Sequence, residues 1–240
     1  MPADKNFEGR PLHKIFTSVP PRYDLVNRLF SLRLDEGWRK RAARECLANN
    51  PSKILDLCTG TGDLAVRLSR QANGNTNITG LDFSHTMLEE ARVKQGKRGK
   101  GEVQFVLGDA GDMPFKDEQF DTIGIAFAFR NLTFKNPDTP KFLSEILRTL
   151  KPGGRFVIVE SSQPDSKLMK NLLKIYMKGF VKRLGYWISG DKAAYHYFAH
   201  SVVNYYTRDE LEKLLIDAGF SSTKSFPLTF GVAAVHVDIK

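Results

Sequence analysis

The chain has 240 residues, 36 of them basic and 27 acidic, with only two cysteines. A hydrophobic share of 41% and a charged share of 26% exclude a disordered chain, and the length supports a large buried core. Cys46 and Cys58 are too few for a disulfide scaffold, no Cys-x-x-Cys pair points to zinc, and no stretch is apolar enough to cross a bilayer. The segment 1–14 lacks the apolar core of a secretory signal, so a reduced, cytoplasmic setting is expected. The formal net charge of +9 calls for a polyanionic partner, nucleic acid or an anionic membrane surface, without choosing between them.

In chain order, residues 1–50 read as helices laid across the remainder of the fold. From residue 53, short β-rich runs alternate with helical patterns: 53–58, 76–82, 102–107, 120–127 and 155–160. Continuous apolar runs of this length predict a parallel sheet covered on both faces. The glycine-interrupted basic cluster 92–100 reads as a solvated loop between helix and strand. Before the fifth strand, Phe142, Leu143, Ile146, Leu147 and Leu150 share one helical face, which Pro152-Gly153-Gly154 stops. Residues 165–206 are extra material before the last helix. That helix opens on a capping box, Thr207 with Glu210, buries Leu211, Leu214 and Leu215, and ends at Gly219. Two β-rich runs, 220–226 and 230–239, close the chain as a hairpin. The outline is a doubly wound α/β fold in a single domain over 1–240.

The informative local feature is Asp56-Leu-Cys-Thr-Gly60-Thr61-Gly62-Asp63, which comes after a strand and opens a helix. Gly60 and Gly62 let the backbone approach a ligand. Twenty residues beyond Gly62, at the end of the second strand, Asp82 can accept hydrogen bonds from both ribose hydroxyls of a nucleoside. The turn alone fits either a dinucleotide or S-adenosylmethionine. Asp109 beside the small Ala110, after the third strand, can present an acceptor and a backbone amide to an adenine edge.

Together with Phe120-Asp121 and Leu150-Lys151-Pro152-Gly153-Gly154, these motifs resemble the ordered set of class I S-adenosylmethionine-dependent methyltransferases. The resemblance covers about residues 53–160. Cys58 stands where that class often has glycine, and reads as a small side chain beneath the cofactor. Tyr23-Asp24-Leu-Val-Asn27-Arg-Leu-Phe-Ser31 with Trp38-Arg39 resembles the N-terminal signature of the UbiE/MenG family of ubiquinone/menaquinone biosynthesis C-methyltransferases. Residues 150–162 resemble its second signature. Phe127-Ala-Phe-Arg130-Asn131 and Tyr195-His196-Tyr-Phe198 with Ser201 are similar to internal blocks. The likeness spans about residues 16–237.

The resemblance implies a Rossmann-like, mostly parallel seven-stranded sheet, with N-terminal helices and a helical insertion before the last helix. It implies methyl transfer from S-adenosylmethionine, leaving S-adenosylhomocysteine, to a ring carbon of a polyprenylated quinol. Demethylmenaquinol is preferred; a ubiquinone-pathway benzoquinol, another small aromatic and RNA are the alternatives, and the intact Asp56, Gly60, Gly62 and Asp82 set argues against a non-catalytic scaffold that binds membrane or nucleic acid. The cofactor residues it implies are Asp56, Gly60, Thr61, Gly62, Asp82, Phe83, Asp109, Ala110 and Ala126, the last being serine in relatives. Tyr23, Asn27, Tyr195 and His196 are expected on the acceptor side, with His196 a candidate general base. Arg130 is expected to stabilise a developing phenolate and Asn131 to orient the ring hydroxyl, against the plainer role of Arg130 as an ion pair shaping its loop. His196 and His200 lie four apart, but nothing supports them as metal ligands and no metal is expected.

Lys170, Lys174, Lys178 and Lys182 recur every fourth residue in 167–184, with Leu168, Leu172, Ile175 and Tyr176 between them. Such a helix either lies on an anionic membrane or turns its apolar side to the core. A bilayer-bound acceptor favours the first, and with it peripheral association with the inner face of the membrane rather than nucleic acid. The oligomeric state is left open, a homodimer included.

Overall fold

Strands whose residues are apolar at both parities can be buried only between two layers, and that constraint sets the architecture. The computed structural model describes residues 28–181 and 192–240, the side chains of 192–195 excepted. Seven strands form one sheet: β1 (Lys53–Leu57), β2 (Asn77–Asp82), β3 (Val103–Leu107), β4 (Phe120–Ala126), β5 (Leu150–Ser161), β6 (Ser222–Leu228) and β7 (Ala233–Ile239). Their order is β3-β2-β1-β4-β5-β7-β6, with β7 antiparallel to both its neighbours and β1 to β5 parallel. The expected seven-stranded, mostly parallel sheet with a closing hairpin is therefore present.

The side-chain alternation divides the core. Leu55, Leu57, Phe156 and Ile158 point to one face, where they meet α5 (Thr139–Thr149) and α8 (Arg208–Ala218). Ile54, Val157 and Val159 point to the other, against α1 (Leu34–Cys46) and α2 (Asp63–Gln71). Gly124 on β4 permits this second layer: a Cβ there would stand 2.9 Å from Cys46 Sγ and 3.2 Å from Leu64 Cδ2. Further α-helices among the described residues are α3 (His85–Arg98), α4 (Phe129–Thr133), α6 (Lys167–Ile175) and α7 (Lys192–Val203). A π-helical turn, Tyr176–Val181, continues α6. Together α6, this turn and α7 make the helical insertion expected over 165–206. No helix among the described residues is long and apolar enough to cross a membrane.

Several local expectations are corrected. The basic segment 92–100 is helical as far as Arg98. The helical cost of Gly96 is about 1 kcal/mol, and Lys97 and Arg98 sit favourably at the C-terminal end of the helix dipole. The helix α5 stops at Thr149, ahead of the Pro-Gly-Gly run. Leu150 is already extended and pairs with Phe120, while pairing resumes at Thr122 with Arg155, so 151–154 bulge relative to β4 although Gly153 and Gly154 remain hydrogen-bonded to Lys240. Proline excludes helical backbone at the preceding residue, and the buried Leu150 carries the break one residue further back. Cys58 and Phe127 are not the last strand residues. Both leave the sheet in left-handed conformations, φ 54° and 60°. At the C-terminus the capping box is formed as expected. The Thr207 hydroxyl accepts from the Glu210 amide, and the Glu210 carboxylate from the Thr207 amide at 2.8 Å; Gly219 closes the helix at φ 113°.

Candidate functional site

Strand order reverses between β1 and β4, and in a doubly wound sheet the loops leaving the C-terminal ends of such a pair diverge and open a crevice. A cavity of about 160 Å³ lies there. Eight of the nine residues expected at a cofactor line it: Asp56, Gly60, Thr61, Asp82, Phe83, Asp109, Ala110 and Ala126. The ninth, Gly62, does not. It is the left-handed N-cap of α2, and a Cβ there would stand 2.9 Å from the Cβ of Ala91, so its smallness serves helix packing. Gly60, by contrast, has φ 54° and nothing within 4 Å of where a Cβ would stand, so its backbone faces open space.

Two buried carboxylates hold this turn. Asp56 accepts from the Thr59 hydroxyl at 2.5 Å and the Ala65 amide at 2.9 Å, tying the first turn of α2 to β1. Asp82 accepts from the Gly60 amide at 2.8 Å with one oxygen and from the Ser84 amide at 2.9 Å with the other. Burial pushes Asp56 up to about 7, despite the Thr59 and Ala65 hydrogen bonds. Burial likewise raises Asp82 to about 6, against the pull of the Ser84 and Gly60 amides. Asp109 lines the adjoining wall and accepts from the Gly111 amide at 2.9 Å.

The wall from β4 and α4 carries Phe127, Ala128, Asn131 and Leu132. Asn131 gives its backbone carbonyl to the Asn136 side chain at 3.1 Å, while its own side-chain amide has no hydrogen-bond partner among the described residues. Arg130 is placed otherwise than expected. It is buried, does not line the cavity, and donates to the Ser201 hydroxyl of α7. Its Nε lies 3.6 Å from Glu160 Oε1, its amide donates to Glu160 Oε2, and its guanidinium stands over the Phe198 ring at 5.2 Å. The geometry thus gives Arg130 the ion-pairing role that joins α4, β5 and α7, and leaves Asn131 facing the cavity. His196 is exposed on α7 and stacks on His200 with ring centroids 6.5 Å apart, away from the cavity walls. Tyr23, Asn27, Lys182 and the Tyr195 side chain lie outside the described residues.

The sequence reading misses one guanidinium. Arg39 lines the cavity, is held by Asp35 and lies 3.9 Å from Asp63, with its charge 4.8 Å from the centre of the Phe127 ring. The four-residue spacing from Asp35 is the available signal. Cys58 also lines the cavity, and burial among Asp82, Asp56 and Asp109 raises its thiol, which leaves it a small apolar wall group.

The ubiE/COQ5 methyltransferase family model matches residues 4–240. A demethylmenaquinone methyltransferase of Deinococcus radiodurans is 39% identical over 238 residues, covering 99% of this chain and 96% of the relative. A demethylmenaquinone methyltransferase of Thermus thermophilus is 43% identical over 223 residues, covering 93% and 98%. Among solved structures, a SAM-dependent methyltransferase from Aquifex aeolicus superposes with a TM-score of 0.61 at 21% identity, covering 90% of this chain and 96% of that one, which shows a shared fold.

The buried charges lead to two measurable outcomes. Because the folded protein holds its Asp82 proton more tightly than the unfolded chain, the stabilisation it gives is complete below about pH 4 and is lost as pH rises through about 6. In ligand-free protein, unfolding free energy measured from pH 4 to 8 should therefore fall for the wild type relative to Asp82→Asn, by roughly 3 kcal/mol in total. A difference that is flat with pH would contradict the assignment. Arg130→Ala leaves Glu160 buried without its cation, and should cost about 3–5 kcal/mol of stability in chemical denaturation.

Proposed function

We propose that this chain, which belongs to the ubiE/COQ5 methyltransferase family, transfers a methyl group from S-adenosylmethionine to a ring carbon of a polyprenylated quinol, demethylmenaquinol in the first place. The observation that carries the reading is a single crevice with two chemically distinct walls. One wall is a glycine turn with a ribose-competent carboxylate, and the other presents the side-chain amide of Asn131, which has no hydrogen-bond partner among the described residues. The names of the Deinococcus and Thermus relatives support the naphthoquinol over the benzoquinol.

The residues present fit the methyl donor. Gly60 keeps its backbone open to the cavity, and Asp82, fixed by the Gly60, Ser84 and Phe83 amides, retains lone pairs for a ribose diol. Asp109 and Ala110 supply an acceptor and a small buried contact for an adenine edge. Thr61, on the same turn, completes the floor with Cys58. When bound, the donor supplies an electrophilic methyl on a sulfonium, already activated for in-line displacement.

The protein's own work is alignment and electrostatics. Ala126 ends β4 at the crevice and the left-handed Phe127 follows it, so the backbone turns away and leaves room above the strand for a ring. A quinol carbon becomes nucleophilic when the neighbouring hydroxyl gives its proton to solvent. The amide N–H of Asn131 can then hold the phenolate oxygen as its charge develops. After the methyl group moves and S-adenosylhomocysteine leaves, that carbon loses its own ring proton and the oxygen regains one, so one proton is released in all. Arg130 acts one step back, by holding the segment that carries Asn131 between Glu160 and Ser201. Phe127, Leu132 and Phe142 give that side of the crevice an apolar lining that excludes water.

Labelled methyl donor, offered demethylmenaquinol and the corresponding demethylated benzoquinol under reducing conditions, tests the proposal. Transfer is expected to demethylmenaquinol, and transfer to neither quinol would overturn it. In the same assay Asn131→Ala should lower kcat by about 100-fold, as loss of one transition-state donor does, with donor affinity unchanged. Donor affinity itself should fall as pH drops through about 6, where Asp82 takes up its proton.

A further inference from the structure

The helix α6 has two apolar faces, and the core uses only one of them. Leu173 and Tyr176 are partly buried, and Met177 and Val181 fully so, against Phe30, Ala199, Val202 and Val203; the Tyr176 hydroxyl also donates to the Phe30 carbonyl at 3.1 Å. That cluster satisfies the packing of the element. Yet Leu168, Leu172 and Ile175, spaced to share a second face, are 68%, 49% and 70% exposed. Phe180, on the π-helical turn, is exposed as well, and stacks on Tyr176 at 5.4 Å. No residue of α6 itself is buried.

The charges beside this ridge have one sign. Residues 167–181 include four lysines and no acidic residue. Lys170 lies toward the Glu210 carboxylate at the start of α8, whereas Lys167, Lys174 and Lys178 are exposed and make no ion pair among the described residues. We propose that the ridge of Leu168, Leu172 and Ile175, rimmed by Lys167, Lys174 and Lys178, docks on an anionic lipid surface. A helix lying in the bilayer interface sinks its apolar side among the acyl chains while lysines reach back to the headgroups. A second copy of this chain fits poorly, because it would bring the same lysines and the same net charge of +9 against them.

The proposal does not depend on the acceptor assigned above. Vesicles free of quinol test it, and methyl transfer to detergent-dispersed quinol is a separate measurement, so either can fail alone. The full chain is sedimented with vesicles of phosphatidylcholine alone and with vesicles containing phosphatidylglycerol. Binding is expected to the anionic vesicles, at least about tenfold weaker to the neutral ones, and weakened by salt. The triple variant Leu168→Ser/Leu172→Ser/Ile175→Ser and, separately, Lys167→Gln/Lys174→Gln/Lys178→Gln should each bind anionic vesicles about tenfold less or weaker still, as an interfacial helix requires both terms. Both variants should titrate with S-adenosylmethionine like the wild type, since none of the six side chains touches the cavity or the core. Equal binding of wild type to both vesicle types, or serine-variant binding equal to wild type, would overturn the proposal. So would a wild-type dimer in light scattering that ignores vesicles and becomes monomeric in the serine variant.

Discussion

Asp56 and Asp82 are buried at the ends of adjacent parallel strands, and the backbone of the crevice hangs on them. Each accepts hydrogen bonds from the turn after β1, Asp56 from Thr59 and Ala65, Asp82 from Gly60. A buried carboxylate is costly unless it is hydrogen-bonded, and here the donors are the amides and the hydroxyl that define the loop. The cost is incompletely offset: both groups hold their protons more tightly than a free aspartate does. That residual tension is characteristic of a site kept open for a ligand, because a pair of hydroxyls brought to Asp82 would supply further hydrogen bonds to its charged form.

The glycine turn and its acid are legible from the sequence because they depend on spacing along the chain. A strand, two glycines, a helix start and an aspartate after the next strand are local facts, and eight of the nine implied residues do line one cavity. Gly62 escapes that reading because a glycine is silent about which neighbour requires its smallness. Only the fold brings Ala91 to within 2.9 Å of its missing Cβ. The positive φ of Cys58 and Phe127 is illegible for a related reason. Non-glycine residues rarely adopt it, so the sequence extends both strands by one residue and hides the kinks that open the crevice.

Arg130 shows where local pattern fails altogether. Its partners lie 30 and 71 positions away, Glu160 at the end of β5 and Ser201 on α7, and neither distance is encoded nearby. An arginine beside an asparagine at a strand end invites a catalytic assignment to the charge, yet the structure gives the charge to the scaffold and the amide to the cavity. Arg39 is the mirror case. It stands in a helix rich in charge, and Asp35 and Asp63 hold it inward over Phe127.

These ties give the helical insertion a defined relation to the chemistry. Ser201 anchors α7 to Arg130, the Gln163 side chain donates to the Val202 carbonyl at 2.8 Å, and the hydroxyls of Tyr205 and Thr133 meet at 2.9 Å. The insertion is thus bonded to the short helix α4 that carries Asn131, while its outer helix α6 turns one face to the core. Fixing the inner side sharply and leaving the outer side apolar is a division that a purely structural insertion has no need of, since serines in place of Leu168 and Ile175 would fold as well and be more soluble. The excess charge has the same asymmetry. Lys94 is drawn inward to Asp63 and Thr61, and Lys151 to Asp121, whereas Lys167, Lys174 and Lys178 stand exposed beside the aliphatic ridge. A surface that keeps cations and large aliphatics together in this way has the composition of an interface with lipid, and it sits on the insertion whose α7 is bonded to Arg130, next to Asn131.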